Sequence, residues 1–197
     1  MALSAVHVLI FDGFADWEPA HALAELRRSA KRDVVALGFN SNPVLSMGGL
    51  RVLPDRPLAE VTPDQIGLFI LPGGDLWETG DYPKPVLSAL LRQLNASGVP
   101  IAAICGATLA LARAGLLNDR RHTSTIPGDL NAAPEYTGAA HYVTAPAVTD
   151  RGVITGSGLA SVDFAREVFA MLGVFSSADQ ATWFDMYKSG QLPGTAV

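Results

Sequence analysis

Short apolar runs alternate along this chain with longer segments in which apolar residues recur at helical spacing. The run GLFIL, residues 67–71, is typical of a strand buried on both faces of a parallel sheet. Such alternation predicts an α/β domain whose mostly parallel sheet is covered by helices on both faces. The predicted strands are 6–11, 33–37, 67–71, 99–104, 121–125 and 153–155. The predicted helices are 16–30, 83–96, 106–114, 161–172 and 178–189. Residues 43–54 are expected to form a small hairpin on the sheet.

Composition limits the kind of protein. A chain of 197 residues that is 49% hydrophobic and 17% charged is typical of one globular domain, expected to span 1–197. The net charge of -5 leaves no basic stripe for phosphates, which disfavours nucleic-acid partners. The uncharged run 99–112 is shorter than the roughly 20 residues a bilayer requires, so we expect no membrane span. Small molecules or another protein are the expected partners.

The chain has a single cysteine, Cys105, which cannot form an intrachain disulfide. The first sixteen residues lack the positively charged start of a secretory signal. We therefore expect a cytoplasmic protein with a free thiol.

Cys105 lies where an apolar strand-like run meets a helical one, flanked by the small residues Ala103 and Gly106. This pattern predicts a strand-to-helix nucleophile elbow at the carboxyl end of a strand, where open parallel sheets bind ligands. A helix N-terminus favours the thiolate, so the position predicts a lowered pKa for Cys105. The alternative is a small, inert, buried cysteine.

Three motifs resemble the PfpI superfamily, which groups PfpI-type intracellular proteases, the human parkinsonism-associated deglycase and class I glutamine amidotransferase-like domains. They are FDGFADWE at 11–18, LPGGDLWE at 71–78 and the run that begins IAAICGATLALA at 101. The resemblance implies a flavodoxin-like three-layer sandwich with Cys105 as nucleophile and Glu18 as its acidic partner. It also implies backbone N–H donors at Gly74 and Gly106, a homodimer, and neither a cofactor nor a metal.

Glu18 has a physical interpretation beside that resemblance. A carboxylate next to a thiolate repels it, so we expect one proton to be shared, held by the carboxyl group and directed at the sulfur. The alternative is a carboxylate that stabilises a helix N-terminus.

The sequence departs from the superfamily in its histidines. PfpI-type proteases carry a histidine directly after the cysteine, where this chain has Gly106. The deglycase-like branch carries one further along, and counting without gaps leads to Thr125. His122 is close in sequence, but strand alternation places it on the opposite face from Thr125 unless the register slips. Thr125 and His122 are therefore accessory candidates.

We expect a stress-related protein whose oxidisable Cys105 acts in redox response or on small reactive carbonyls, so that its partners are a small substrate or an oxidant. A cysteine hydrolase of the protease or amidase type is the alternative, although amide cleavage needs an acid for the leaving amine, usually an imidazole. A non-catalytic binding or sensor module is a third possibility.

Overall fold

The computed structural model of the protein describes residues 5–192. The strands are Ala5–Ile10 (β1), Val34–Gly38 (β2), Val44–Leu45 (β3), Arg51–Val52 (β4), Arg56–Pro57 (β5), Ile66–Leu71 (β6), Ile101–Ile104 (β7), Ala147–Asp150 (β8) and Val153–Gly156 (β9). The α-helices are Trp17–Arg28 (α1), Leu76–Thr79 (α2), Lys84–Ala96 (α3), Thr108–Arg113 (α4), Ser161–Leu172 (α5) and Ser177–Ser189 (α6).

Seven strands form one sheet in the order β5-β2-β1-β6-β7-β9-β8. All neighbouring pairs are parallel except β8 and β9, which are antiparallel. From β1 the chain moves outward to β2, and from β6 it moves outward on the other side to β7. The strand order therefore reverses between β1 and β6, and ligands of open α/β sheets bind at such a switch point, beyond the carboxyl ends of the strands.

The helices pack in two groups around the sheet. In one, α5 packs against both α1 and α6, and in the other α4 packs against α2 and α3. Because right-handed β-α-β connections that run in opposite directions along a sheet cover opposite faces, α1 and α3 lie on different sides of it. The predicted mostly parallel α/β fold with helices on both faces is confirmed.

The central strands are buried because both of their faces are covered. β7 is inaccessible to solvent along its whole length, and Phe69 of β6 is also fully buried. Trp77 of α2 and the α5 residues Phe164 and Phe169 are fully buried in the core. No helix among residues 5–192 is long and apolar enough to cross a membrane.

Two predicted elements differ from the structure. Residues 121–125 form no strand, because the segment makes only a single bridge, between His122 and Tyr142, and the Thr123 N–H donates to the side-chain hydroxyl of Thr155 in β9 rather than to a strand carbonyl. The hairpin at 43–54 is present as β3 and β4, but it forms a separate two-stranded sheet. It is attached to the loop after β1, where the Gly13 N–H donates to the Leu45 carbonyl at 2.7 Å.

Candidate active site

The strand-to-helix turn at Cys105 has a strained backbone. Cys105 follows β7 directly and has φ +59°, a left-handed conformation that side chains other than glycine rarely adopt. A 3₁₀ turn over Cys105–Ala107 leads into α4, and the Thr108 hydroxyl donates to the Cys105 carbonyl at 2.7 Å. The buried strand on one side and this bond on the other hold the cysteine at the carboxyl edge of the sheet.

Glu18 reaches the same point from the first turn of α1. Its side chain is 2% exposed, and its Oε2 accepts a hydrogen bond from the Gly73 N–H at 2.5 Å. The carboxyl group is also hydrogen bonded to Cys105. Burial raises the pKa of Glu18, because it outweighs the opposing effects of these two bonds. A proton is therefore retained on or near this carboxyl group to higher pH than on an ordinary glutamate.

Two glycines allow the carboxyl group and the sulfur to lie so close to the backbone. A Cβ added at Gly73 would stand 2.6 Å from Glu18 Oε2 and 2.7 Å from Cys105 Cβ. A Cβ added at Gly158 would stand 2.7 Å from Cys105 Sγ and 2.8 Å from Glu18 Oε1. Sequence reasoning missed Gly158. The available signal was the triplet of residues 156–158, Gly-Ser-Gly, directly after a predicted strand.

Two donors point at the Cys105 sulfur. The Thr125 Oγ1 accepts from the Gly158 N–H at 2.8 Å, so its own proton is directed to the sulfur. The Gly106 N–H also donates to the sulfur. Both bonds favour the thiolate and lower the pKa of Cys105. The structure thus brings Thr125, a sequence candidate, into contact with Cys105.

The overall direction for Cys105 is nevertheless the opposite of the sequence prediction. Burial raises the pKa of the thiol and is the largest single effect, and the two donors, which lower that pKa, do not reverse the direction. The Glu18 carboxylate raises the pKa of Cys105 further, because two adjacent anions repel. The predicted lowered pKa is therefore wrong for this structure. Both shifts oppose ionisation, so the Cys105 and Glu18 pair retains its protons to higher pH than an isolated cysteine and glutamate would.

Gly74 directly follows Gly73, whose N–H donates to Glu18. It has φ +148°, and a Cβ there would stand 2.7 Å from the Gly13 carbonyl oxygen. Its own carbonyl accepts from the Trp77 N–H at 3.3 Å. The Gly74 N–H has no hydrogen-bond partner among residues 5–192, so it is available to a bound molecule, whereas the Gly73 N–H is already occupied by Glu18.

His122 does not reach the site. Its Nδ1 lies 2.8 Å from the Arg120 carbonyl oxygen and its Nε2 lies 2.8 Å from the Tyr136 hydroxyl. Burial lowers the pKa of His122, which is therefore neutral at pH 7. The alternative in which His122 assists Cys105 is wrong, because both ring nitrogens are engaged on the far side of the segment. In the described part of the chain no histidine hydrogen bonds to the sulfur.

A groove of about 330 Å³ opens beside Thr125. Half of its lining residues carry hydroxyl groups and one is a cation; these side chains are Thr123, Ser124, Thr125, Tyr142, Thr144, Ser157 and Lys188. The groove thus begins next to the cysteine and offers many hydrogen-bonding groups to a small polar molecule. Residues 5–192 contain no cluster of three or more His, Cys, Asp or Glu side chains suited to a metal.

The parallel sheet, the strained elbow cysteine and the buried glutamate together define a class of α/β proteins with a cysteine-centred site. The chain belongs to the DJ-1/PfpI family, whose family model matches residues 4–171.

Similar proteins agree with this assignment. The chain is 39% identical to the Bacillus subtilis protein named uncharacterized protease YoaZ, over 96% of this chain and 93% of that protein. It is 30% identical to a deglycase of Thermococcus kodakarensis, over 61% of this chain and 72% of that protein. The crystal structure of a DJ-1 superfamily protein from Agrobacterium tumefaciens superposes with a TM-score of 0.88 at 35% identity, covering 95% of this chain and all of that one.

Proposed function

We propose that the protein is a cytoplasmic, cysteine-dependent enzyme that acts on small reactive carbonyl compounds, in which Cys105 is the nucleophile and Glu18 moves the proton. The observation that carries the proposal is the pair itself. A strained elbow thiol and a buried carboxyl group are in hydrogen-bond contact, the pKa of each is raised, and within residues 5–192 no imidazole bonds to the sulfur.

The first chemical step begins with the proton of the Cys105 thiol. The Glu18 carboxylate accepts the thiol proton, and the Thr125 hydroxyl and Gly106 N–H stabilise the sulfur anion. The sulfur then forms a bond to the aldehyde carbon of a compound such as methylglyoxal. The carbonyl π electrons move to oxygen, which takes the proton back from Glu18 and leaves a neutral hemithioacetal. The free Gly74 N–H is placed as a donor to the developing oxyanion.

The second step uses the same carboxylate. Glu18 removes the proton from the carbon bonded to sulfur, giving an enediolate whose charge lies on the former ketone oxygen. A proton passes to that oxygen from the hydroxyl on the sulfur-bearing carbon, and Glu18 returns its proton to the neighbouring carbon, giving the thioester of a 2-hydroxy acid. Water then hydrolyses the thioester and releases the thiol. Methylglyoxal plus water becomes lactic acid, so no external oxidant or reductant is needed.

The groove beside Thr125 supports a small, polar substrate. Its hydroxyl-rich lining matches the carbonyl and hydroxyl oxygens of short sugars and oxoaldehydes better than an extended peptide backbone. Deglycase is also the name of the relative in Thermococcus kodakarensis.

Amide hydrolysis is the second candidate, favoured by the name protease given to the Bacillus subtilis relative. It requires an acid that protonates the leaving amine, and Glu18 is the acid in contact with the sulfur.

A third role is compatible with the same thiol. Peroxide oxidation of Cys105 would give a sulfenic and then a sulfinic acid, because no second cysteine is present to trap the intermediate as an intrachain disulfide.

The test compares two substrates on one preparation. Wild type is expected to convert methylglyoxal to lactate, whereas Cys105→Ser is expected not to. Hydrolysis of fluorogenic amides without methylglyoxal turnover would favour the hydrolase. Activity on neither substrate, with ligand binding retained, would favour the binding module.

We also propose a homodimer. Trp17 next to Glu18 is 51% exposed, and the neighbouring hairpin exposes Leu45, Met47, Leu50 and Leu53. These apolar side chains form a surface of the kind that interfaces cover. Light scattering at micromolar concentration should give twice the 20.7 kDa chain mass, and the mass of one chain would contradict the proposal.

A further inference from the structure

A second groove, which Cys105 does not line, lies between α3 and α4. Its volume is about 520 Å³, within the range of small-molecule sites. Three cationic side chains line it, Lys84 and Arg92 from α3 and Arg113 from α4. One carboxylate, Glu135, is also on the lining. The groove is therefore positively charged in a protein whose net charge is -5.

The spacing on α3 places the cations in a row. Lys84, Ser88 and Arg92 are four residues apart, so they follow one face of the helix, and all three line the groove. The Ser88 hydroxyl thus stands between two positive charges. Arg113 faces this row from the neighbouring helix.

None of these three cations forms an ion pair within the described part of the chain. Among residues 5–192 no carboxylate lies within 4.0 Å of the charged nitrogens of Lys84, Arg92 or Arg113. Glu135 on the lining also forms no ion pair there. Three positive charges against the single negative charge of Glu135 leave the groove with a net positive charge, so an anion bound there would reduce the repulsion among the cations.

Arg113 and Lys84 are held in place by Tyr82. The Arg113 Nη1 donates to the Tyr82 hydroxyl and to the Trp77 carbonyl, both at 2.8 Å. Both bonds use Nη1, and the Nη2 and Nε groups have no hydrogen-bond partner among residues 5–192. The Arg113 guanidinium and the Lys84 ammonium lie 5.8 Å and 5.9 Å from the centre of the Tyr82 ring. Arg113 is thus held by two hydrogen bonds before any ligand arrives, which reduces the entropy cost of binding.

We propose that this groove binds a small molecule through a phosphate group. Arginine guanidinium groups match phosphate oxygens with paired donors, and lysine adds a point charge. Three cations with a central hydroxyl suit a dianion better than a single carboxylate. The site is separate from the cysteine chemistry and does not depend on the proposed function.

The experiment titrates glycerol 2-phosphate into the ¹⁵N-labelled full chain and follows amide shifts. Sodium chloride at equal ionic strength is the control, and inorganic phosphate is a parallel arm. Saturable shifts at residues 84–92 and 113 are expected with glycerol 2-phosphate. Equally tight binding of inorganic phosphate would also support the site and would identify free phosphate as its ligand. Identical shifts with sodium chloride would overturn the proposal.

Variants separate the groove from general surface charge. Arg92→Gln is expected to weaken binding by about tenfold, the effect of losing one charged hydrogen-bond donor. Arg51→Gln removes an equally exposed arginine outside the groove and should leave binding unchanged. Ser88→Asp places a carboxylate four residues before Arg92, which should abolish binding while the melting temperature is kept or raised. Equal losses in Arg51→Gln and Arg92→Gln, or unchanged binding in Ser88→Asp, would overturn the proposal.

Discussion

Gly158→Ala tests whether the site depends on the close approach of three chain segments. The new methyl group would stand 2.7 Å from the Cys105 sulfur and 2.8 Å from Glu18 Oε1. Ordinary contacts begin at 3.4 Å, so the sulfur, the carboxyl group or the Gly158 loop must move by about 0.7 Å.

Gly158→Ala is expected to lower both the stability of the protein and the reaction rate at Cys105. Overpacking a buried site destabilises a protein by about 1 to 3 kcal/mol, which lowers the melting temperature of a chain of this size by roughly 2 to 12 °C. A displacement approaching 1 Å at a reacting group reduces the rate by about a hundredfold. The loop shift also weakens the bond between the Gly158 N–H and Thr125, which orients the donor to the sulfur.

The assay measures the melting temperature, the rate of Cys105 alkylation by iodoacetamide and the turnover of methylglyoxal. Gly128→Ala is the matched control, because a Cβ there meets nothing within 4 Å. Wild-type alkylation and turnover in Gly158→Ala, with an unchanged melting temperature, would refute the packing described for the site.

Other predictions follow from the same site. Thr125→Val should slow Cys105 alkylation at pH 7 by roughly tenfold, because it removes a donor that lowers the pKa of Cys105. Thr125→Ser keeps that donor and should be alkylated at the wild-type rate. Equal alkylation rates in the Val and Ser variants would argue against the hydrogen bond from Thr125 to the sulfur. Because the pKa of Glu18 is raised on folding, the native state binds its proton more tightly and this contribution to stability is lost as pH rises above the ordinary value of 4.5. Glu18→Gln should therefore melt at a higher temperature than wild type at pH 8, with a smaller difference near pH 4.5, and a difference independent of pH would contradict this sign. Mild peroxide should add about two oxygens to Cys105 by peptide mapping, and none at that position in Cys105→Ser, while a reduced Cys105 beside oxidised methionines would contradict a reactive thiol.

Much of the fold could be predicted because its signals are local. The predicted helices are all present, with bounds within two residues, since helical spacing of apolar residues and flanking glycines and prolines mark their ends. The short strands β5 and β8 were missed. β5 has only two residues, Arg56 and Pro57, and β8 lies at the sheet edge with one buried residue, so neither has an apolar run. The segment 121–125 has strand-like residues but lacks a neighbouring strand to pair with.

The site could be predicted where a motif and a strand end coincide, as at Cys105 and Glu18. Gly158 was missed, because the Gly-Ser-Gly triplet marks a tight turn but its contact with Cys105 depends on which strand lies beside β7, a property of the whole sheet. The pKa of Cys105 was predicted in the wrong direction for two physical reasons. The helix α4 begins at Thr108, three residues after the cysteine, so its dipole acts weakly on the sulfur. The burial that raises the pKa of Cys105 comes from segments distant in the chain, whose position around the sulfur cannot be predicted from the sequence.

The most direct test of the account compares two reactions of Cys105 in Glu18→Gln. Alkylation by iodoacetamide needs the sulfur but no proton returned to the electrophile, whereas carbonyl addition needs both. We expect Glu18→Gln to lose methylglyoxal turnover by about a hundredfold or more while Cys105 remains open to alkylation. Wild-type turnover in Glu18→Gln would contradict the claim that Glu18 moves the proton.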